Sequence, residues 1–107
     1  MPDATSNTDT QEMVRARLVI TGVVQGVYFR ANTVDVATTY GVGGWVKNRP
    51  DGAVEAIIEG ERSAVTKVIE WCRLGPPKAR VDDVDVRWEE YKDEFDCFTA
   101  LTRHNNY

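Results

Sequence analysis

Hydrophobic positions along the chain change period several times, and each change marks an element. In Arg15–Gly22, residues Ala16, Leu18 and Ile20 recur with period two, which places one face of a strand against a core. Gly22 ends that run, and Val23–Phe29 carries Gly26 in a short connection. From Arg30 to Tyr40 the spacing turns helical. Thr33, Val36, Ala37 and Tyr40 share one face, although β-branched residues lower the helix propensity. Gly41 follows directly and marks the helix end. A short strand over Gly44–Asn48, the turn Arg49-Pro50-Asp51-Gly52 and a strand over Ala53–Glu59 read as a hairpin. Val65, Val68, Ile69 and Cys72 form the apolar stripe of a second helix, which Gly75-Pro76-Pro77 stops. A fourth strand runs from about Ala79 to Tyr91, with Val84, Val86 and Trp88 on one face. A last short strand lies near Phe98–Leu101.

The order strand, helix, strand, strand, helix, strand is the split βαβ, or ferredoxin-like, arrangement of an α+β domain (β-α-β-β-α-β). A mainly antiparallel sheet with two helices on one face is expected, with its other face free to meet solvent. Residues 1–13 are polar and aperiodic and read as a disordered tail, leaving residues 14–107 as one domain. The architecture hosts many activities, so the chemistry has to come from particular residues.

Composition narrows the field. The 107 residues carry 17 acidic and 13 basic side chains, a formal net charge of −4. That balance argues against a broad grip on nucleic acid or on an anionic membrane. No apolar run approaches the roughly 20 residues of a membrane span, and the N-terminus lacks the basic and apolar regions of a signal peptide. Cys72 and Cys97 are too few for a disulfide scaffold, so a cytoplasmic protein with free thiols is expected. The charge is unevenly spread: residues 15–50 hold Arg15, Arg17, Arg30, Lys47 and Arg49 against Asp35 alone.

Most catalytic constellations fail on inspection. The single histidine, His104, lies near the C-terminus, and no Cys or His spacing suits a metal. Asp82, Asp83 and Asp85 read as a solvated strand face. Cys97 and Arg103 have the Cys-x5-Arg spacing of cysteine-dependent phosphatases. The interval FTALT, however, has no glycine and alternates like a strand. Trp45 and Trp88 lie outside any RNP-like segment, so core or hairpin packing is the expectation for both. The segment Val23–Arg30 is different. A strand, a glycine turn and a helix N-terminus can aim successive N–H groups at one anion, with Arg30 adding a fixed positive fork. The plain alternative is that Gly26 only turns the chain and Arg30 is solvated.

The residues Gly22-Val23-Val24-Gln25-Gly26-Val27-Tyr28-Phe29-Arg30 resemble the phosphate-binding signature of the acylphosphatase family, G-x-V-Q-G-V-x-F-R. Gly44-Trp45-Val46-Lys47-Asn48, with Asp51-Gly52-x-Val54-Glu55 and Glu59-Gly60 behind it, resembles the family's second signature. Gly75-Pro76 and Ala79-x-Val81 also agree, so the resemblance covers about Val14 to Arg103. It implies a ferredoxin-like fold and hydrolysis of acyl phosphates to a carboxylate and inorganic phosphate, without metal or other cofactor. It implies Arg30 and Asn48 as catalytic residues. Backbone N–H groups of Gln25, Gly26, Val27, Tyr28 and Phe29 would form the phosphate cradle. Position 28 is one the family leaves variable. The implied partners are a small acyl phosphate and inorganic phosphate as product and competitive inhibitor, in a monomeric protein with no nucleic acid or membrane. A non-catalytic anion-binding module on the same fold is the alternative. An acylphosphatase-like domain of a larger carbamoyl-transfer protein is a third reading, which the short chain disfavours.

Overall fold

A computed structural model describes residues 12–102. The expected tail, His104 and Arg103 lie outside these residues, apart from Glu12 and Met13. Five strands and two helices follow in the order β1 (Met13–Val23), α1 (Phe29–Tyr40), β2 (Gly43–Asn48), β3 (Val54–Glu61), α2 (Arg62–Leu74), β4 (Arg80–Glu89) and β5 (Phe98–Leu101). The sheet order is β4-β1-β3-β2-β5. The first strand is therefore central, antiparallel to β3 on one side and to β4 on the other. Strand β2 runs antiparallel to β3, and β5 is added parallel to β2 at the edge. These are the two interleaved βαβ units of a ferredoxin-like fold, extended by a fifth strand.

The period-two residues face the helices. Ala16, Leu18 and Ile20 of β1, Val46 of β2, Val54, Ala56 and Ile58 of β3, Val84 of β4 and Phe98 of β5 belong to one buried cluster. Helix α2 fits it with its expected stripe, Val65, Val68, Ile69 and Cys72. Helix α1 matches expectation at Thr33, Ala37 and Val36, which packs against the cluster, and departs from it at the two ends. Its buried residues are Phe29, Thr33 and Ala37, spaced four apart, while Tyr40 is exposed. Thr33 can be buried because its hydroxyl donates to the Phe29 carbonyl at 2.7 Å. Phe29 packs edge-on against Trp71 of α2, with ring centroids 5.4 Å apart. At the other end, the N–H of Val42 reaches the Ala37 carbonyl at 3.1 Å and closes α1 around Gly41.

The opposite sheet face is only partly solvated. Arg15 and Glu59 lie there 6% and 4% exposed. Arg15 donates to Glu59 at 3.1 Å, to Glu89 at 3.0 Å and to Glu94 at 2.8 Å. The Glu59 carboxylate also accepts the backbone N–H groups of Lys92 at 2.8 Å and Glu94 at 2.9 Å. The Phe95 ring lies 5.6 Å from the Arg15 guanidinium carbon. The β4–β5 connection is thereby fastened onto the sheet by a charge cluster whose hydrogen-bonding groups satisfy one another. Trp88 departs from the expected packing: it is 51% exposed, with the Arg62 guanidinium 5.4 Å over its ring. Trp45 is half-buried, with the Lys47 ammonium 5.3 Å from its ring.

Candidate active site

Topology brings the two signatures together. Strands β1 and β2 both run antiparallel to β3, so both deliver their C-terminal ends to the same end of the sheet. Ile20 of β1 and Asn48 of β2 flank Val54 of β3 from opposite sides. Leu101, at the C-terminal end of β5, pairs beside Lys47. A cleft of about 440 Å³ opens at this end, lined by Val24, Gly26, Tyr28, Phe29, Arg30, Ala31, Asn48, Ala100 and Thr102.

The route from β1 into the cleft begins with a bulge. The β1–β4 register shifts between Thr21 and Gly22, and Gly22 adopts φ 126°. A Cβ there would collide with the carbonyl oxygen of Arg80, so only glycine lets β4 approach so closely. The chain then turns through Gly26 at φ 74° and Tyr28 at φ 66°, ψ 23° before α1 starts. A tyrosine in the left-handed region costs roughly 1–3 kcal/mol and persists where its surroundings fix it. Asn32 provides that fixation, donating to the Tyr28 carbonyl with its backbone N–H at 3.1 Å and its side-chain Nδ2 at 2.9 Å. The Asn32 N–H makes the first helical bond, so the N–H groups of Phe29, Arg30 and Ala31 precede it at the positive end of the helix.

Arg30 is the second residue of α1, and its Nη1 donates to the Leu101 carbonyl at 2.8 Å. Among the described residues no carboxylate lies within 4.0 Å of its guanidinium. The other arginines of the basic stretch are spoken for. Arg15 and Arg17 are tied to glutamates and Arg49 to Asp51 at 2.9 Å. The positive charge at the cleft therefore comes from Arg30 and the helix end, not from a pooled basic patch. Asn48 ends β2 and is half-buried, and its side-chain amide makes no hydrogen bond to the described residues.

Gln25 has a role that sequence reading missed. Its Nε2 donates to the carbonyls of Arg49 at 2.8 Å and Ala53 at 2.9 Å. The side chain thus ties the cradle segment to the hairpin that carries Asn48. The hairpin itself is closed by Arg49 N–H to the Ala53 carbonyl at 2.8 Å, and Asp51 accepts the Ala53 N–H at 3.1 Å. That N–H, with Arg49 beside it, holds the Asp51 carboxyl below its ordinary range. Of the residues expected in the cradle, Gly26, Tyr28 and Phe29 line the cleft together with Arg30 and Asn48. Gln25 and Val27 are not among its lining. Cys97 is exposed just before β5, and the residues after it form a strand rather than a phosphate loop. Cys72 lies on the buried stripe of α2, where burial in the apolar core pushes its thiol up to about 12; both cysteines are free thiols. No helix among the described residues is long and apolar enough to cross a membrane.

The acylphosphatase family model matches residues 16–100. An acylphosphatase of Pyrobaculum arsenaticum is 64% identical over 91 residues, covering 84% of this chain and 96% of the relative. The crystal structure of acylphosphatase from Bacillus subtilis superposes with a TM-score of 0.79 at 33% identity, covering 82% of this chain and 98% of the other. A full-length HypF crystal structure, in its phosphate- and nucleotide-bound form, matches with a TM-score of 0.74 at 26% identity. This chain corresponds there to 12% of a much longer protein. Sequence signatures, fold and relatives of nearly equal length converge, and the chain belongs to the acylphosphatase family.

Proposed function

We propose that this acylphosphatase-family enzyme hydrolyses acyl phosphates by holding the phosphoryl group on the α1 N-terminus and directing a water in line at phosphorus. The observation that carries the reading is the convergence of Arg30 and Asn48, from two separate elements, on one cleft at a helix N-terminus. An acyl phosphate already has a carboxylate leaving group. The protein therefore needs no strong general acid and no nucleophile of its own. Its tasks are to position the phosphoryl group, neutralise its charge and orient water. Backbone N–H groups around Gly26–Phe29 cradle phosphoryl oxygens, and Arg30 clamps them with a fork that stays charged. The Leu101 carbonyl occupies one Arg30 donor and leaves the others for the phosphoryl oxygens. The Asn48 carbonyl accepts a hydrogen bond from the attacking water, while its amide donates to that water or to a phosphoryl oxygen. An amide is no base, so its contribution is orientation. In this reading the charge neutralisation is supplied by Arg30 and the helix end, so no metal is required. Inorganic phosphate competes with substrate, and the enzyme acts as a monomer.

The test is release of inorganic phosphate from benzoyl phosphate and acetyl phosphate by the purified chain, with and without EDTA. Release unaffected by EDTA and inhibited competitively by phosphate is expected. No release above the buffer rate would leave an anion-binding module. A p-nitrophenyl phosphate activity abolished by Cys97→Ser would point to cysteine chemistry instead.

A further inference from the structure

Tyr28 has a position that phosphate binding alone does not require. The N–H groups and Arg30 explain why the backbone turns here, but not why a large aromatic side chain stands at the turn. Gly26, two residues earlier, lines the same cleft with no side chain. Tyr28 is 73% exposed, and its hydroxyl makes no hydrogen bond to the described residues. Its backbone is held in an unfavourable conformation by two hydrogen bonds from Asn32, which fixes where the side chain leaves the chain. Two aromatic residues line the cleft. Phe29 is 1% exposed and belongs to the core, so only Tyr28 offers a ring surface to a ligand. Val24, Ala31 and Ala100 complete an apolar surround.

On the reading that the phosphoryl group sits at the α1 N-terminus, we propose that Tyr28 is a specificity-determining residue whose ring receives the acyl group. The enzyme then favours acyl phosphates with an aromatic or extended apolar acyl group over those with a short one. The charged end of the substrate is seated by groups common to every acyl phosphate, so discrimination has to come from what extends beyond them. A planar apolar group stacked on an exposed phenol gains a contact worth about tenfold in binding. An acetyl group is too small to cover the ring.

The experiment compares kcat/KM for benzoyl phosphate and acetyl phosphate in the parent, Tyr28→Phe and Tyr28→Asn. Asparagine tolerates the left-handed backbone, so this variant removes the ring while keeping the turn. The benzoyl-to-acetyl ratio is expected to fall about tenfold in Tyr28→Asn, mostly through KM, and to stay within twofold of the parent in Tyr28→Phe. A ratio unchanged in Tyr28→Asn, including equal losses on both substrates, overturns the role of Tyr28. A second measurement needs no variant: calorimetric titration of the parent with phenylphosphonate and methylphosphonate. Phenylphosphonate is expected to bind about tenfold more tightly, and equal affinities overturn the inference. Failure to hydrolyse either acyl phosphate would overturn the hydrolase reading, while the two phosphonate affinities still judge the ring.

Discussion

At the scale of single residues, the proposed mechanism divides the cleft into groups that would touch substrate and groups that hold those groups still. Arg30→Ala is expected to lower kcat on the order of 10²- to 10³-fold and to raise KM, because it removes both a charge and positioned donors. Asn48→Ala is expected to lower kcat by a similar factor with a smaller change in KM. Steady-state kinetics on benzoyl phosphate check both, and parent-like turnover from Asn48→Ala would end the water-orienting role. Both positions could be picked out of the sequence, Arg30 from a glycine turn running into a helix and Asn48 from the resemblance to the second signature, and both line the cleft. The supports could not be. The Tyr28 conformation, the double bond from Asn32 and the Gln25 strut depend on where the chain folds back, and no residue type announces that. The cysteines add a separate expectation. Exposed Cys97 should react with a thiol reagent at pH 8 in the folded protein, whereas Cys72 should react only after denaturation, since burial suppresses its thiolate. A count of one thiol in the folded state and two in guanidinium would bear this out.

Elements tell a similar story, with a different reason for what was visible. Periodicity located all five strands and both helices because the sheet buries one face and α2 one stripe. On α1 it placed Thr33, Val36 and Ala37 toward the core but erred at Tyr40, which is exposed, and missed Phe29, which supplies the bulk. It also took Trp88 for a packed residue, although an edge strand leaves it open beneath Arg62. The Gly22 bulge was equally hidden: glycine ended the expected strand, yet β1 continues through it to Val23. That bulge carries β1 into the cradle, so Gly22→Ala is expected to destabilise the fold on the order of 3 kcal/mol. Because β4 must also shift, activity should fall along with stability. Chemical denaturation measured beside kcat/KM checks this, and a parent-like midpoint would show that the strand accommodates a side chain.

For the molecule as a whole, the charge cluster on the outer sheet face decides how the fold responds to acid. Burial alone would raise the Glu59 carboxyl. The N–H groups of Glu94 and Lys92 and the Arg15 guanidinium outweigh burial and hold it below the ordinary value of 4.5. Arg17 and Arg15 lower Glu89 in the same direction. A depressed folded-state pKa means that the unfolded chain takes up protons first as pH falls. The stabilisation is thus complete above about pH 4.5 and is withdrawn below it, as the pH approaches the folded-state values. Glu59→Gln is expected to cost about 2–3 kcal/mol at neutral pH and to flatten that acid limb, measured by urea unfolding from pH 7 to 3. An unaltered acid limb would assign the sensitivity elsewhere. Because the cluster fastens the chain ahead of β5, and β5 supplies the carbonyl that Arg30 contacts, acid loosening should reach the cleft before the sheet is lost.

The central place of β1 also sets a timetable. It is the first strand made, yet its partners on both sides come much later: Arg15 pairs with Glu59 in β3 and with Glu89 in β4. At roughly 5–20 residues per second, synthesis takes about 4–15 s to pass from Arg15 to Glu89. Throughout that interval the strand at the heart of the sheet has at least one naked edge, open to pairing with another nascent chain. Arg15 and Arg17 alternate along that strand with its core residues, and like charges on neighbouring copies repel. Until the glutamates that neutralise them have been made, Arg15 and Arg17 are expected to disfavour that pairing.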